Sequence, residues 1–274
     1  MARPDLRPMS IGEILDRTAS LYREKFALFF GISAVPHAFV LAWALARLKM
    51  FGSPARSTSL LNRELLILLN SMVEGWFISF LAQCATAYAI GELYLERKVS
   101  ITSAFRRLGT GTWTLLACSI LRGLAIVVGS IVFFVPGILA ACRLMVALPS
   151  AVLEGLGVRQ ALARSFSLTD RNVARAFAIW AFYLVLRVIH ILFILFLTRY
   201  RIKLSRVDPG IALALQGLLA VVDVSLSALI EPFLAIAATL FYFDLRVRKE
   251  ALDLQLMMND GAKIPAGPIG ATLT

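Results

Sequence analysis

Apolar residues run along this chain in long blocks separated by short, arginine-rich stretches, and the blocks have membrane-crossing length. A hydrocarbon core of ~30 Å needs about 20 consecutive helical residues. Blocks of that size cover Phe26 to Leu45, Leu65 to Ile90, Trp113 to Val135, Pro136 to Leu153, Ala176 to Leu197 and a stretch within Ile211 to Phe243. The pattern predicts an all-α, polytopic helical membrane protein with six transmembrane helices. Pro36 marks a kink, because proline removes a helical donor and crowds the preceding turn, and in the over-long last block tilt, a bend at Pro232 or protrusion past the headgroups absorbs the excess length. Pro136-Gly137 reads as a tight turn between the third and fourth spans, and Arg199 to Arg206 as a basic loop.

Three shorter segments show a different pattern, apolar on one helical face only. Ser10-Ile-Gly-Glu13 has the form of a capping box, and Ile11, Ile14, Leu15, Thr18, Ala19 and Tyr22 follow at helical spacing. Ile101, Ala104, Phe105 and Leu108 repeat this after Ser100, and Val158, Ala161, Leu162, Ser165 and Phe166 after Gly157. Each segment reads as an amphipathic interfacial helix, its stripe set against lipid or the bundle. Each stands before a pair of spans, which predicts three repeated units of short helix plus helical hairpin. The division expected is an N-terminal amphipathic segment at 1–25, a six-span membrane domain at 26–254 and a disordered C-terminal tail at 255–274.

Composition strengthens this picture. Hydrophobic residues make up 59% and charged residues 16% of the chain, against about a quarter charged in soluble domains. The net charge of +11 would suit nucleic acid on a polar domain, but no stretch is polar enough to form one, so nucleic acid is excluded as a partner. The charge is instead distributed by side. With six spans, seventeen of the 28 Lys and Arg fall on the side of both termini and eight on the other. That imbalance predicts a multi-pass protein of the cytoplasmic (inner) membrane with both termini cytoplasmic. The polar N-terminus lacks the pattern of a cleaved signal, so the first span is expected to stay in the mature protein.

Candidate chemistry lies where charge meets apolar sequence. Glu74, Arg122, Arg143, Arg187, Asp223 and Glu231 all fall inside apolar blocks, with His190 one helical turn from Arg187. An ionised group at a bilayer centre costs ~2.5–3.5 kcal/mol on insertion scales. The seven residues are therefore expected to form an intramembrane polar network, serving either as interhelical ion pairs or as a path for an ion, proton or anionic substrate. Arg187 with Asp223 is the first pairing expected. Arg143 has the further option of reaching for the headgroups. Cys84, Cys118 and Cys142 lie singly in apolar blocks and read as small hydrophobes. No metal-ligand spacing, phosphate-binding glycine loop or nucleophile elbow is present, so no catalytic residue, metal or cofactor is assigned.

Three groups of residues together are similar to a known family. They are Arg7-Pro-Met-Ser-Ile-Gly-Glu-Ile-Leu-Asp-Arg17 with Leu21-Tyr-Arg23; Val152-Leu-Glu-Gly-Leu-Gly157 with Ala161-Leu-Ala-Arg-Ser165; and Leu240-Phe-Tyr-Phe-Asp-Leu-Arg-Val-Arg-Lys-Glu250 with Asp253. The chain resembles the bacterial integral-membrane family named after the membrane domain of glycerophosphoryl diester phosphodiesterases. In enzymes that carry such a domain, cleavage belongs to a separate soluble barrel with a His-Arg-Gly motif, which is absent here. The resemblance implies a membrane module. The leading expectation is a non-catalytic module that organises or assists a partner protein or lipid. Its partners would be membrane lipids, together with a membrane or peripheral protein or a second copy of the chain. The alternatives are a transporter or channel using the buried charges, and a lipid-modifying enzyme.

Overall fold

The computed structural model describes residues 8–51, 76, 78, 80–109, 111–205 and 209–250. Glu74, the first seven residues, most of the loop after the first span and the 255–274 tail lie outside the described residues. Among the described residues, ten helices follow in order: α1 (Ile11–Glu24), α2 (Phe26–Phe51), α3 (80–94), α4 (Ile101–Leu108), α5 (Thr112–Val132), α6 (Phe134–Arg143), α7 (Ala147–Glu154), α8 (Val158–Thr169), α9 (Val173–Ser205) and α10 (Pro209–Glu250). Among the described residues, five stretches are long and apolar enough to cross a membrane: Phe26–Ala46, Thr112–Val132, Phe134–Glu154, Val173–Tyr200 and Ala214–Glu250. Much of the second expected block lies outside the described residues, and its described part supplies α3.

The short helices form where their caps and stripes require. Ser10 accepts from the Glu13 backbone N–H at 3.2 Å, and the Glu13 carboxylate accepts from the Ser10 N–H at 2.6 Å. Together they satisfy two donors that a helix start otherwise leaves open. Ser100 and Ser103 make the same reciprocal pair for α4, and the Gln160 side chain accepts from Gly157 N at the start of α8. The buried residues Ile14, Thr18 and Leu21 of α1 lie at helical spacing, and this face packs on α10, α2 and α9. The apolar stripe of α1 therefore meets the bundle. Met9 touches Asp244 and Arg248, while Tyr22 donates to the Leu229 carbonyl at 2.9 Å. These two contacts lay α1 antiparallel along α10. Leu229 neighbours the carbonyl that Pro232 leaves without its helical donor, and burial pushes the Tyr22 phenol up to about 12.

Two local expectations change. The reversal between the third and fourth spans falls at Phe133, an extended residue (φ −157°, ψ 146°), whereas Pro136-Gly137 sits in the first turn of α6. Proline is tolerated there because first-turn N–H groups have no intrahelical partner. Gly137 serves close packing: a Cβ on it would lie 2.0 Å from Ser130 Oγ and 2.8 Å from Ser130 N. Small residues at such crossings let membrane helices approach closely. Next, the expected basic loop after Arg199 is helical as far as Ser205. Pro232 lies inside its helix. All 42 residues of α10 form one helix, ~63 Å long at 1.5 Å per residue, twice the thickness of a hydrocarbon core.

The fourth span is not a continuous helix. It breaks at Leu144–Val146 between α6 and α7, and the helix break frees the Arg143 carbonyl. Ser165 and Thr169 of α8, both fully buried, donate to that oxygen at 2.7 and 3.2 Å. α7 ends at Gly155, whose left-handed φ of 66° suits a residue without Cβ. In the last third of α10, Leu240, Phe241, Tyr242 and Leu245 are fully enclosed.

Candidate functional site

Two polar regions are built along α10. The first joins the ends of α7, α8, α9 and α10 to the chain before α1. Glu154, at the last residue of α7, accepts from Arg164 at 3.0 and 3.1 Å and from the Tyr242 hydroxyl at 2.6 Å. Arg164 also pairs with Glu250, and Arg246 reaches Glu250 at 2.9 Å and Tyr242 at 3.2 Å. The hydrogen bond to Glu250 is the main cause that raises Arg164 above its ordinary value. Beside this group, the fully enclosed carboxylate of Asp244 accepts from Arg175 at 2.7 Å, from Arg248 at 3.0 Å and from the Met9 N–H at 2.7 Å. Arg175 and Arg248 each donate to the Met9 carbonyl at 2.7 Å. Arg175 also lies over the Phe241 ring, 5.5 Å from its centre.

The second region lies at mid-span between α9 and α10. On α10, Asp223, Ser227 and Glu231 follow at i, i+4 and i+8, so all three lie on one face. On the antiparallel α9, His190, Arg187 and Tyr183 meet them as three rungs. His190 Nε2 is 3.1 Å from Asp223 Oδ1, Arg187 donates to Ser227 at 3.4 Å, and the Tyr183 hydroxyl donates to Glu231 at 2.8 Å. His37 of α2, anchored on the Ser33 carbonyl at 2.8 Å, stands within electrostatic range of Glu231, Arg187 and Asp223. The rungs differ in access. The Asp223 side chain is 48% exposed, whereas Glu231 is only 5% exposed. Among the described residues, neither ring nitrogen of His190 makes a hydrogen bond: Nε2 stands close to Asp223 without the geometry of one, and Nδ1 has no partner.

Beyond the closed end of this ladder is a cavity of about 60 Å³. Leu234 and Ala238 of α10 line it one and two turns past Glu231, with Trp180 one turn beyond Tyr183. Across from them are Gln83, Arg122 and Met145, the last lying in the break of the fourth span. Arg122 donates to Gln83 at 2.8 Å. The volume suits about two waters at ~30 Å³ each. It is far below the ~300–1,000 Å³ of pockets for organic ligands.

The structure thus brings Arg187, His190, Asp223 and Glu231 together and sets Arg122 just beyond them, while Glu74 lies outside the described residues. Two expectations are corrected. Asp223 is met by His190 and not by Arg187, since Arg187 stands one rung further along and reaches Ser227. Arg143 does not join the network. It ends α6, and its side chain extends to Asp170 at 3.9 Å and over the Phe166 ring at 5.9 Å. Sequence reading passed over Tyr183, Ser227, Gln83 and the coupling of His37. The i, i+4, i+8 spacing of Asp223, Ser227 and Glu231 was the available signal. In the Asp244 cluster only the Arg248 pairing at i, i+4 gave a local signal; Met9 and Asp244 are 235 positions apart. Among the described residues, no group of three His, Cys, Asp or Glu could hold a metal ion.

Residues 119–264 match the family model described as the membrane domain of glycerophosphoryl diester phosphodiesterase. No curated protein and no solved structure matches the chain.

Proposed function

Because the chain belongs to the family of membrane domains of glycerophosphoryl diester phosphodiesterase, we propose that it acts as a non-catalytic membrane module. Its short-helix end would organise a lipid or protein partner at the cytoplasmic face. The observation that carries this reading is the exposed basic surface of the short helices and their flanks. Arg17, Arg106, Arg107, Arg159 and Arg171 are exposed, as are Leu95 and Trp113, the latter 82% exposed at the start of α5. Arginine with interfacial tryptophan suits anionic headgroups, each cation near such a surface contributing about 1 kcal/mol. The same arginines favour a cytoplasmic position for this end by the charge rule. In the second region, by contrast, the cavity is too small for a glycerophosphodiester.

Gentle detergent extraction followed by mass spectrometry of what stays bound tests the reading. A defined anionic lipid or one protein should be retained near stoichiometrically, and Arg106→Glu with Arg107→Glu should reduce that retention. Release of glycerol phosphate from glycerophosphodiesters by the purified chain would overturn it.

A further inference from the structure

The break in the fourth expected span separates two parts with different surroundings. α7 is buried from Ala147 to Ala151 and ends in the Glu154 cluster, whereas α6 leaves Val135 and Leu139 exposed. Arg143 stands at the division. Its side chain reaches Asp170, and its carbonyl is held by Ser165 and Thr169. It therefore lies level with the chain between α8 and α9, just before α9 begins. From Arg143 back to the turn at Phe133, α6 has ten residues, ~15 Å of helix. The other leg is similar. The first part of α5 buries Leu115, Cys118 and Ser119, the helix packs on α7 and α8, and Arg122 lines the cavity with Met145 of the break. Beyond Arg122 the leg runs only ~16 Å to Phe133. A hydrocarbon core is ~30 Å thick, and on α9 exposed apolar side chains recur over that full length, from Phe177 to Phe196.

We propose that α5 and α6 form a re-entrant hairpin that contacts the acyl chains of one leaflet only. It enters the bilayer from the short-helix face, turns at Phe133 near the midplane and returns to the same face. The sequence of the turn fits hydrocarbon and not a second water surface. Between Arg122 and Arg143 there is no Asp, Glu, Lys or Arg, and no Trp or Tyr, the residues favoured at membrane surfaces. Ile131, Val132, Phe133, Phe134 and Val135 are all apolar and each is at least 64% exposed. Turning within hydrocarbon requires that few backbone groups be left open. Phe133 is the one non-helical residue of the turn, its N–H donates to the Gly129 carbonyl at 3.1 Å, and Pro136 brings no N–H. Behind the turn the legs touch, a Cβ on Gly129 falling 3.0 Å from Gly137 N. The placement also accounts for Arg122 and Arg143, which then lie towards the headgroups of the near leaflet and not at the bilayer centre, where an ionised group is expensive. The inference goes beyond the module reading, which does not depend on how deep this hairpin reaches.

The test measures the depth of the turn in the full chain, held in phosphatidylethanolamine/phosphatidylglycerol vesicles. Cys84, Cys118 and Cys142 are buried, so the parent protein sets the labelling background. Phe133→Cys and Val135→Cys carry a bimane fluorophore at the turn, and Trp113→Cys and Tyr200→Cys carry it near the two surfaces. At either turn position, a nitroxide near the end of the acyl chain should quench several-fold more strongly than one on the headgroup. The order should reverse at Trp113→Cys and Tyr200→Cys. A membrane-impermeant maleimide present on both sides should label the two reference sites and leave the turn unlabelled until detergent is added. Stronger quenching of the turn by the headgroup nitroxide would overturn the proposal, as would its labelling from the side that labels Tyr200→Cys. Absence of quenching at every depth would also overturn it, since protein and not lipid would then cover the hairpin. If Phe133→Cys fails to accumulate, Val135→Cys decides the matter. None of these outcomes alters partner retention at the short helices, so the module reading is judged separately.

Discussion

Asp244 and Asp223 are both aspartates on α10, 21 residues apart, and their surroundings are opposite. Asp244 is enclosed and held by two arginines and a backbone N–H, with Arg175 and Arg248 also sharing the Met9 carbonyl. Asp223 is half exposed and meets one histidine. A buried carboxylate repays its desolvation only when several donors converge on it, and losing it strands the cations around it. A half-exposed carboxylate with one partner contributes little to stability, so it is free to serve another purpose. The difference separates a tie that holds the fold from a pair that adds little to it.

Substitutions can break or sharpen this contrast. The largest effect is expected from Asp244→Asn, which leaves Arg175 without its charge partner. Thermal unfolding in detergent should show a loss of ~3–5 kcal/mol, the cost of breaking a buried pair. Gly137→Ala comes next, at ~1–3 kcal/mol by overpacking, because its Cβ would strike Ser130 Oγ and the Ser130 backbone. The same unfolding measurement reads it, and a near-neutral result would mean that α5 and α6 part easily. Ser10→Ala should cost about 1 kcal/mol as a lost N-cap, seen as fraying of α1 in hydrogen exchange. Asp223→Asn should cost least, below about 1 kcal/mol. If it destabilises as strongly as Asp244→Asn, the ladder is a structural tie and the contrast fails.

Much of the architecture was legible in the chain itself. The apolar blocks marked the long helices because a segment that crosses lipid must satisfy its backbone internally. Ser10 with Glu13, and the cap at Ser100, marked helix starts because a cap is made between residues three apart. The break at Leu144–Val146 was not legible, since Leu-Met-Val carries no turn signal. What stabilises it is the Ser165 and Thr169 hydroxyls, which arrive from α8 onto the Arg143 carbonyl.

The charges divide in the same way. That Arg122, Arg187, His190, Asp223 and Glu231 had to face the bundle or a wet cavity followed from the cost of a lone charge in hydrocarbon. Which of them would meet depended on how α9 and α10 are set against each other, and a displacement of one helical turn exchanges every partner. That setting gave Asp223 to His190 and Arg187 to Ser227. Met9 and Arg175 converge on Asp244 from two distant parts of the chain, joining Arg248 one turn along α10. Sequence determined the helices because their signals are local; the tertiary structure decided the pairs because a contact exists only once both helices are in place.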